Sequence, residues 1–132
     1  MKYLKMTAVT FFVTALFCTI SVSASQYGMA NVSIPNLKQV QTVARDDKDN
    51  FSPQTFDLVA CRDSVTGQEL GAQVQTYSVN YGSYTSFVTA KKGGKVTISS
   101  SKHTSPGTYK LNAKANTSSL FSAKLFGTWV LD

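Results

Sequence analysis

The stretch from residue 120 to 131 constrains this chain more than any other. Read at period two, Phe121, Ala123, Leu125, Gly127, Trp129 and Leu131 fall on one face, and Ser122, Lys124, Phe126, Thr128 and Val130 on the other. A helix would scatter both sets around its axis, whereas a half-buried β-strand keeps them apart. The run holds the only tryptophan of the chain and stops one residue before Asp132. It predicts a β-sheet core that closes only when this late strand is added.

Upstream, strand-forming residues recur in short runs punctuated by Gly, Pro, Asn, Asp and Ser, and no helical periodicity appears. The pattern predicts strands over 30–34, 38–44, 55–62, 72–79, 84–90, 95–99 and 108–115. The last of these alternates most cleanly, with Tyr109, Leu111, Ala113 and Ala115 inward and Thr108, Lys110, Asn112 and Lys114 outward. Residues 45–53 are charged or polar apart from Phe51 and read as an exposed loop, 64–71 as a turn region, and 99–106 as a polar loop. Asn80, Tyr81, Gly82 and Ser83 predict a hairpin between 72–79 and 84–90. Lys91, Lys92, Gly93 and Gly94 predict a second hairpin into 95–99, making a meander of three antiparallel strands. Seven to eight strands in about a hundred residues have the density of an all-β antiparallel sandwich.

Residues Ser105-Pro106-Gly107-Thr108-Tyr109-Lys110-Leu111 resemble the penultimate strand of immunoglobulin-like domains. In those domains a turn with Gly leads to a Tyr whose hydroxyl ties the loop back to the strand. The resemblance covers seven residues and implies an immunoglobulin-like sandwich, with Leu111 where antibody domains place a disulfide cysteine.

The first 24 residues read as a targeting signal. Lys2 and Lys5 form a basic start, residues 7–20 are almost wholly apolar, and Val22, Ser23 and Ala24 make a small-residue cleavage site. A lipoprotein reading fails because the bulky Phe17 precedes Cys18. The expectation is a secreted or periplasmic protein with one domain over 25–132. With Cys18 gone, Cys61 is left without an internal disulfide partner. It reads as a small buried hydrophobe on a strand, the alternative being an intermolecular disulfide that links an oligomer.

Charge is unevenly distributed along the chain. Residues 25–82 carry four basic and six acidic side chains, whereas seven lysines from Lys91 to Lys124 face Asp132 alone in the remainder. That pattern predicts a lysine face that keeps strands soluble or attracts an anionic surface. Lysines without arginine argue against specific nucleic-acid recognition, which favours the bidentate guanidinium.

Catalytic and metal motifs are thin. His103 sits among Ser100, Ser101, Lys102, Thr104 and Ser105 and reads as an exposed loop histidine with no acid nearby to orient it. Asp46, Asp47, Asp49 and Asn50 cluster, but a calcium loop starting at Asp46 would need Gly and Glu where Phe51 and Asp57 stand. One histidine and one cysteine do not make a zinc site. The expectation is therefore no metal, no cofactor and no enzymatic activity.

Residues 76–87 supply the strongest binding candidate, because Tyr77, Tyr81 and Tyr84 interleave with Ser, Gly and Asn as paratope residues do. Lys91, Lys92 and Lys95 follow at the next turn and would assist by attraction. These features favour an exported binding or surface-interaction domain (an adhesin, inhibitor or assembly subunit) that meets a glycan or protein through the tyrosine hairpin. Two alternatives are a small basic toxin or membrane-active protein, and a subunit resembling those of pili, whose strand 27–34 would complete a neighbour's sheet.

Overall fold

The computed structural model describes residues 26–98 and 100–132; the expected signal segment, 1–24, lies outside the described residues. Nine strands follow in order: β1 Gln26–Ile34, β2 Gln41–Lys48, β3 Gln54–Asp63, β4 Ala72–Ser78, β5 Ser83–Tyr84, β6 Val88–Ala90, β7 Gly94–Ile98, β8 Gly107–Ala115 and β9 Ala123–Val130. One sheet runs β1-β9-β3-β7, and the other runs β2-β8-β4 with β5 and β6 both paired to β4. All pairs are antiparallel, so the expected all-β sandwich is present. β5 and β6 are two pieces of the strand expected at 84–90.

The order of the strands is that of a jelly roll rather than the immunoglobulin connectivity that the short resemblance implied. Most connections cross from one sheet to the other; only those from β4 to β5 and from β5 to β6 stay within one. The tyrosine tie suggested by that resemblance is nonetheless present. Tyr109 is buried and its hydroxyl donates to the carbonyl of Ser105 at 2.6 Å.

The late strand behaves as its alternation demands. Ala123, Leu125, Gly127, Trp129 and Leu131 are all buried, and β9 lies between β1 and β3 in the middle of its sheet. Trp129 has no exposed surface and shares one core with Tyr109 and Leu111 of the facing sheet. Its indole nitrogen donates to Gln54 Oε1 at 2.9 Å, which satisfies the one polar atom that burial would otherwise orphan. Gly127 is required by contact: a Cβ there would stand 2.7 Å from both the Asp57 carbonyl oxygen and the Phe56 ring.

Four local expectations need correction. β2 extends through Arg45, Asp46 and Asp47 to Lys48, because Asp46 and Lys48 pair with Tyr109 and Gly107 of β8 instead of forming a loop. The meander fails at its second turn, since β7 pairs with β3 and residues 91–93 carry the chain between sheets. β9 begins at Ala123, which leaves Leu120 and Phe121 in the preceding loop with their side chains exposed. Finally, residues 27–34 are already paired to β9 of their own chain, and a bulge between Met29 and Val32, with Asn31 at φ 60°, interrupts that strand.

Candidate functional site

β4 builds the tyrosine site by simple alternation. Ala72, Val74, Thr76 and Ser78 are buried, so Gln73, Gln75 and Tyr77 lie on the outer face of the five-stranded sheet. Register then chooses their neighbours: Tyr77 stands between Lys110 of β8 and Tyr84 of β5. The two tyrosine rings pack at 4.6 Å between centroids with 50° between their planes, and Lys110 Nζ lies 5.9 Å from the Tyr77 ring centre. Tyr84 is 63% exposed and Tyr81, on the adjoining turn, 57%, while Tyr77 is half-buried beneath them. The turn is held by Ser78, whose carbonyl and hydroxyl accept the amides of Gly82 and Tyr81.

Polar rows extend the site along the same face. Thr42 Oγ1 donates to Asn112 Oδ1 at 2.7 Å, Asn112 Nδ2 to Gln75 Oε1 at 3.2 Å, and Gln75 Nε2 to the Thr85 carbonyl at 2.9 Å. One row further, Gln73 donates to Thr89 at 3.2 Å, and Lys114 Nζ sits 4.4 Å from the centre of the Phe87 ring. Aromatic faces, side-chain amides and lysines on a rigid sheet suit stacking and hydrogen bonding to a polar partner. Because the rings are already packed on one another, little rotamer freedom is lost on contact.

The lysines named with the tyrosines lie elsewhere. Lys91 and Lys92 occupy the crossover turn, and Lys95 stands on β7 of the other sheet directly opposite Asp57. The basic second half of the sequence is therefore not one face, since β7 and β8 pair with β3 and β2 from the acidic half. The lysines that do reach the aromatics are Lys110 and Lys114 of β8. Their outward orientation was legible in the alternation of 108–115; their pairing with β4 was not.

His103 is buried, which corrects its reading as an exposed loop residue. It ends a short 3₁₀ turn, Ser101–His103, and plugs one end of the sandwich. Its Nδ1 lies 2.6 Å from Thr76 Oγ1 and its Nε2 3.3 Å from Ser83 Oγ, and its ring centre is 5.3 Å from that of Tyr109. Gln54 Nε2 donates to its carbonyl at 2.9 Å, so the contacts run from Trp129 through Gln54 to His103. Burial holds the imidazole below its ordinary pKa, opposed by a hydrogen bond that the ring donates to the Ser83 backbone and reinforced by the neighbouring Lys102 charge. Hydroxyls of Thr76 and Ser83 lie against the two ring nitrogens, and among the described residues no carboxylate is hydrogen-bonded to the ring.

The acidic cluster also takes a different form. Lys48 is buried, and its ammonium donates to Ser52 Oγ at 2.7 Å, Asn50 Oδ1 at 3.1 Å, the Leu131 carbonyl and Asp132 Oδ1 at 3.2 Å. The backbone amides of Asp49 and Asn50 donate to the same Asp132 carboxylate at 3.2–3.3 Å. A cation of the chain's own thus sits where the calcium question was raised. Among the described residues, no group of three His, Cys, Asp or Glu side chains is placed to hold a metal ion.

Cys61 is fully buried on β3, as expected, and its thiol is pushed up to about 12 by burial and by the nearby Glu69 carboxylate. A buried thiol held protonated in this way disfavours an intermolecular disulfide between folded chains. Together these observations define a jelly-roll β-sandwich with an aromatic and amide-lined outer face.

No protein-family model and no curated protein matches the chain. Among solved structures it is similar to the infectious bursal disease virus VP2 subviral particle, with a TM-score of 0.53 and 15% identity over 82% of this chain and 32% of that one. The T13 particle of the same virus aligns with a TM-score of 0.49 and 16% identity over 81% of this chain and 30% of that one. The chain spans about a third of the length of these neighbours, and the likeness is one of fold.

Proposed function

We propose that this chain is an exported, non-catalytic surface-interaction domain whose contact surface is the row Lys110, Tyr77 and Tyr84 with Tyr81 beside it. One observation carries the reading: two tyrosines distant from Lys110 in sequence are brought by strand register into a packed, solvent-facing group. Stacked phenol rings flanked by Gln75 and Asn112 match the alternating apolar and hydroxyl surfaces of a glycan, or a polar protein epitope. The buried, carboxylate-free surroundings of His103 favour a packing role over general-base work. An adhesin, an inhibitor and an assembly subunit all use such a surface.

A glycan microarray followed by calorimetry on the strongest hits tests the proposal. Tyr84→Ala and Tyr81→Ala should each weaken binding by about 1 kcal/mol or more, roughly fivefold. Charge reversal at Lys91 and Lys92 should change mainly the association rate and lose its effect at high salt. Salt-sensitive binding that ignores both tyrosines would move the contact to another surface.

A further inference from the structure

The two ends of the sandwich differ in chemistry. Loops 49–53, 79–82 and 100–106 share one end, where Asp46, Asp47, Asp49 and Asp132 gather and where Phe51 and Tyr81 stand exposed as single apolar side chains. Loops 35–40, 64–71 and 116–122 share the other, and there five apolar side chains stand exposed among polar ones such as Gln39, Thr66, Gln68 and Thr117. Among the described residues, Leu37, Val40, Val65, Leu120 and Phe121 stand exposed in those three loops, Leu120 at 75% and Val65 at 66%. Lone exposed apolar residues are ordinary, but a group of them at one tip marks an interaction surface.

The loops that carry them are fastened to one another. Leu37 N donates to the Ser119 carbonyl, Asn36 Nδ2 to the Leu120 carbonyl and Ser64 N to the Ser122 carbonyl, each at 2.9 Å. Thr117 N reaches the Leu70 carbonyl at 3.1 Å. Asp63 anchors the group from beneath, accepting from the Val65 and Thr66 amides at 2.8 and 3.0 Å and from the Ser119 hydroxyl. Its charge is thereby turned inward. Glu69 is likewise engaged, its Oε2 accepting from the amides of Cys61 and Gly71.

What remains at the rim is positive. Lys38 follows Leu37 and is exposed, Arg62 is exposed, and Lys124 is its register partner on β9. Lys91 and Lys92 lie on the 91–93 turn, which rests against the middle of β3 where Gly93 N donates to the Leu58 carbonyl at 2.7 Å. An apolar-rich tip bordered by Lys38 and Arg62, with the Asp63 carboxylate and Glu69 Oε2 engaged internally, is complementary to a negatively charged lipid interface.

We propose that Leu37, Val65, Leu120 and Phe121 dock this end of the sandwich into an anionic membrane surface, with Lys38 and Arg62 meeting the headgroups. The site is distinct from the tyrosine row and stands independently of it. Docked this way, the chain would hold Tyr81 and its turn away from the bilayer.

Co-sedimentation of the purified protein tests this with vesicles of phosphatidylcholine alone and of phosphatidylcholine and phosphatidylglycerol in equal parts. Binding is expected to the mixed vesicles only. The double variant Leu120→Asp, Phe121→Asp should lose roughly tenfold or more of that binding, since two apolar side chains leave the interface. Lys38→Glu with Arg62→Glu should weaken it several-fold at low salt, and Tyr84→Ala should leave it unchanged. These positions are exposed, so unchanged thermal unfolding of each variant verifies that the fold is intact. Failure of the unaltered protein to bind either vesicle, or equal binding by the Asp variant, overturns the proposal. Self-association abolished by Leu120→Asp without lipid binding would overturn it too, and would assign the tip to a second copy of the chain.

Discussion

Lys48→Met removes a buried cation whose partners are all named. The ammonium serves Asn50 Oδ1, Ser52 Oγ, the Leu131 carbonyl and the Asp132 carboxylate, and neither charged side chain of the ion pair is appreciably exposed. Breaking one partner of a buried pair costs about 3–5 kcal/mol, because the other charge stays behind in a medium that solvates it poorly. For a domain of this size that corresponds to a loss of at least about 12 °C in Tm. Two backbone amides still hold Asp132, which places the cost toward the lower end of the range. Adding Asp132→Leu removes the stranded charge and should recover part of the loss. The remainder, about 1–3 kcal/mol, reflects the buried Leu131 carbonyl left without its donor. Urea unfolding of the wild type, both single variants and the double variant gives the coupling energy directly. A Lys48→Met variant within about 1 kcal/mol of wild type would refute the reasoning, as would a cost that vanishes at high salt, because a buried pair is screened little.

Two further outcomes follow from titratable groups. The folded pKa of His103 lies below its ordinary value of 6.5, so the unfolded chain binds the extra proton first; stability should fall as pH drops below 6.5 and level off below the folded value. Tm measured against pH should show that decline in the wild type and not in His103→Gln, and parallel curves would remove the burial argument. The hydrogen bonds that lower the Asp63 pKa act in a separate window, giving stability that is present above its ordinary 3.8 and lost at more acid pH. Cys61 should resist a thiol reagent at mildly alkaline pH in the folded protein and react promptly in denaturant; rapid labelling of the native chain would contradict its burial.

The strands were legible where side chains alternate against a single core. The strand expected at 55–62 is β3 Gln54–Asp63, and that at 108–115 is β8 Gly107–Ala115. Burial of one face is a local signature, written every second residue. Pairing is not local: a Gly-rich turn at 91–94 serves a crossover as well as a hairpin, and only the demand of β3 for an edge partner chooses between them. The same limit hid Lys48 and His103. Each is polar within a polar neighbourhood, and what buries it comes from far away, Leu131 and Asp132 for the lysine and Thr76 and Ser83 for the histidine. The tyrosines were visible as a run, but the lysines paired with them arrived through the register of β8 on β4.

Connectivity also explains why two unlike surfaces coexist on so small a domain. When each connection crosses between sheets, successive connections alternate between the two ends, so residues close in sequence are separated and remote ones gathered. The loop at 35–40 meets those at 64–71 and 116–122, while 49–53 meets 100–106 through the Ser52 amide and the Thr104 carbonyl at 3.0 Å. A charge imbalance between the halves of the sequence is thus rewritten as a difference between ends. Acidic residues of β2 collect beside the tyrosine turn, where Thr108 Oγ1 donates to Asp47 at 2.7 Å. The opposite tip keeps its apolar side chains and its cations. Six residue steps along β4 separate the levels of Ala72 and Ser78, about 20 Å at about 3.3 Å per residue. At that distance the energetics of the two ends are separable, and each surface is free to carry its own partner.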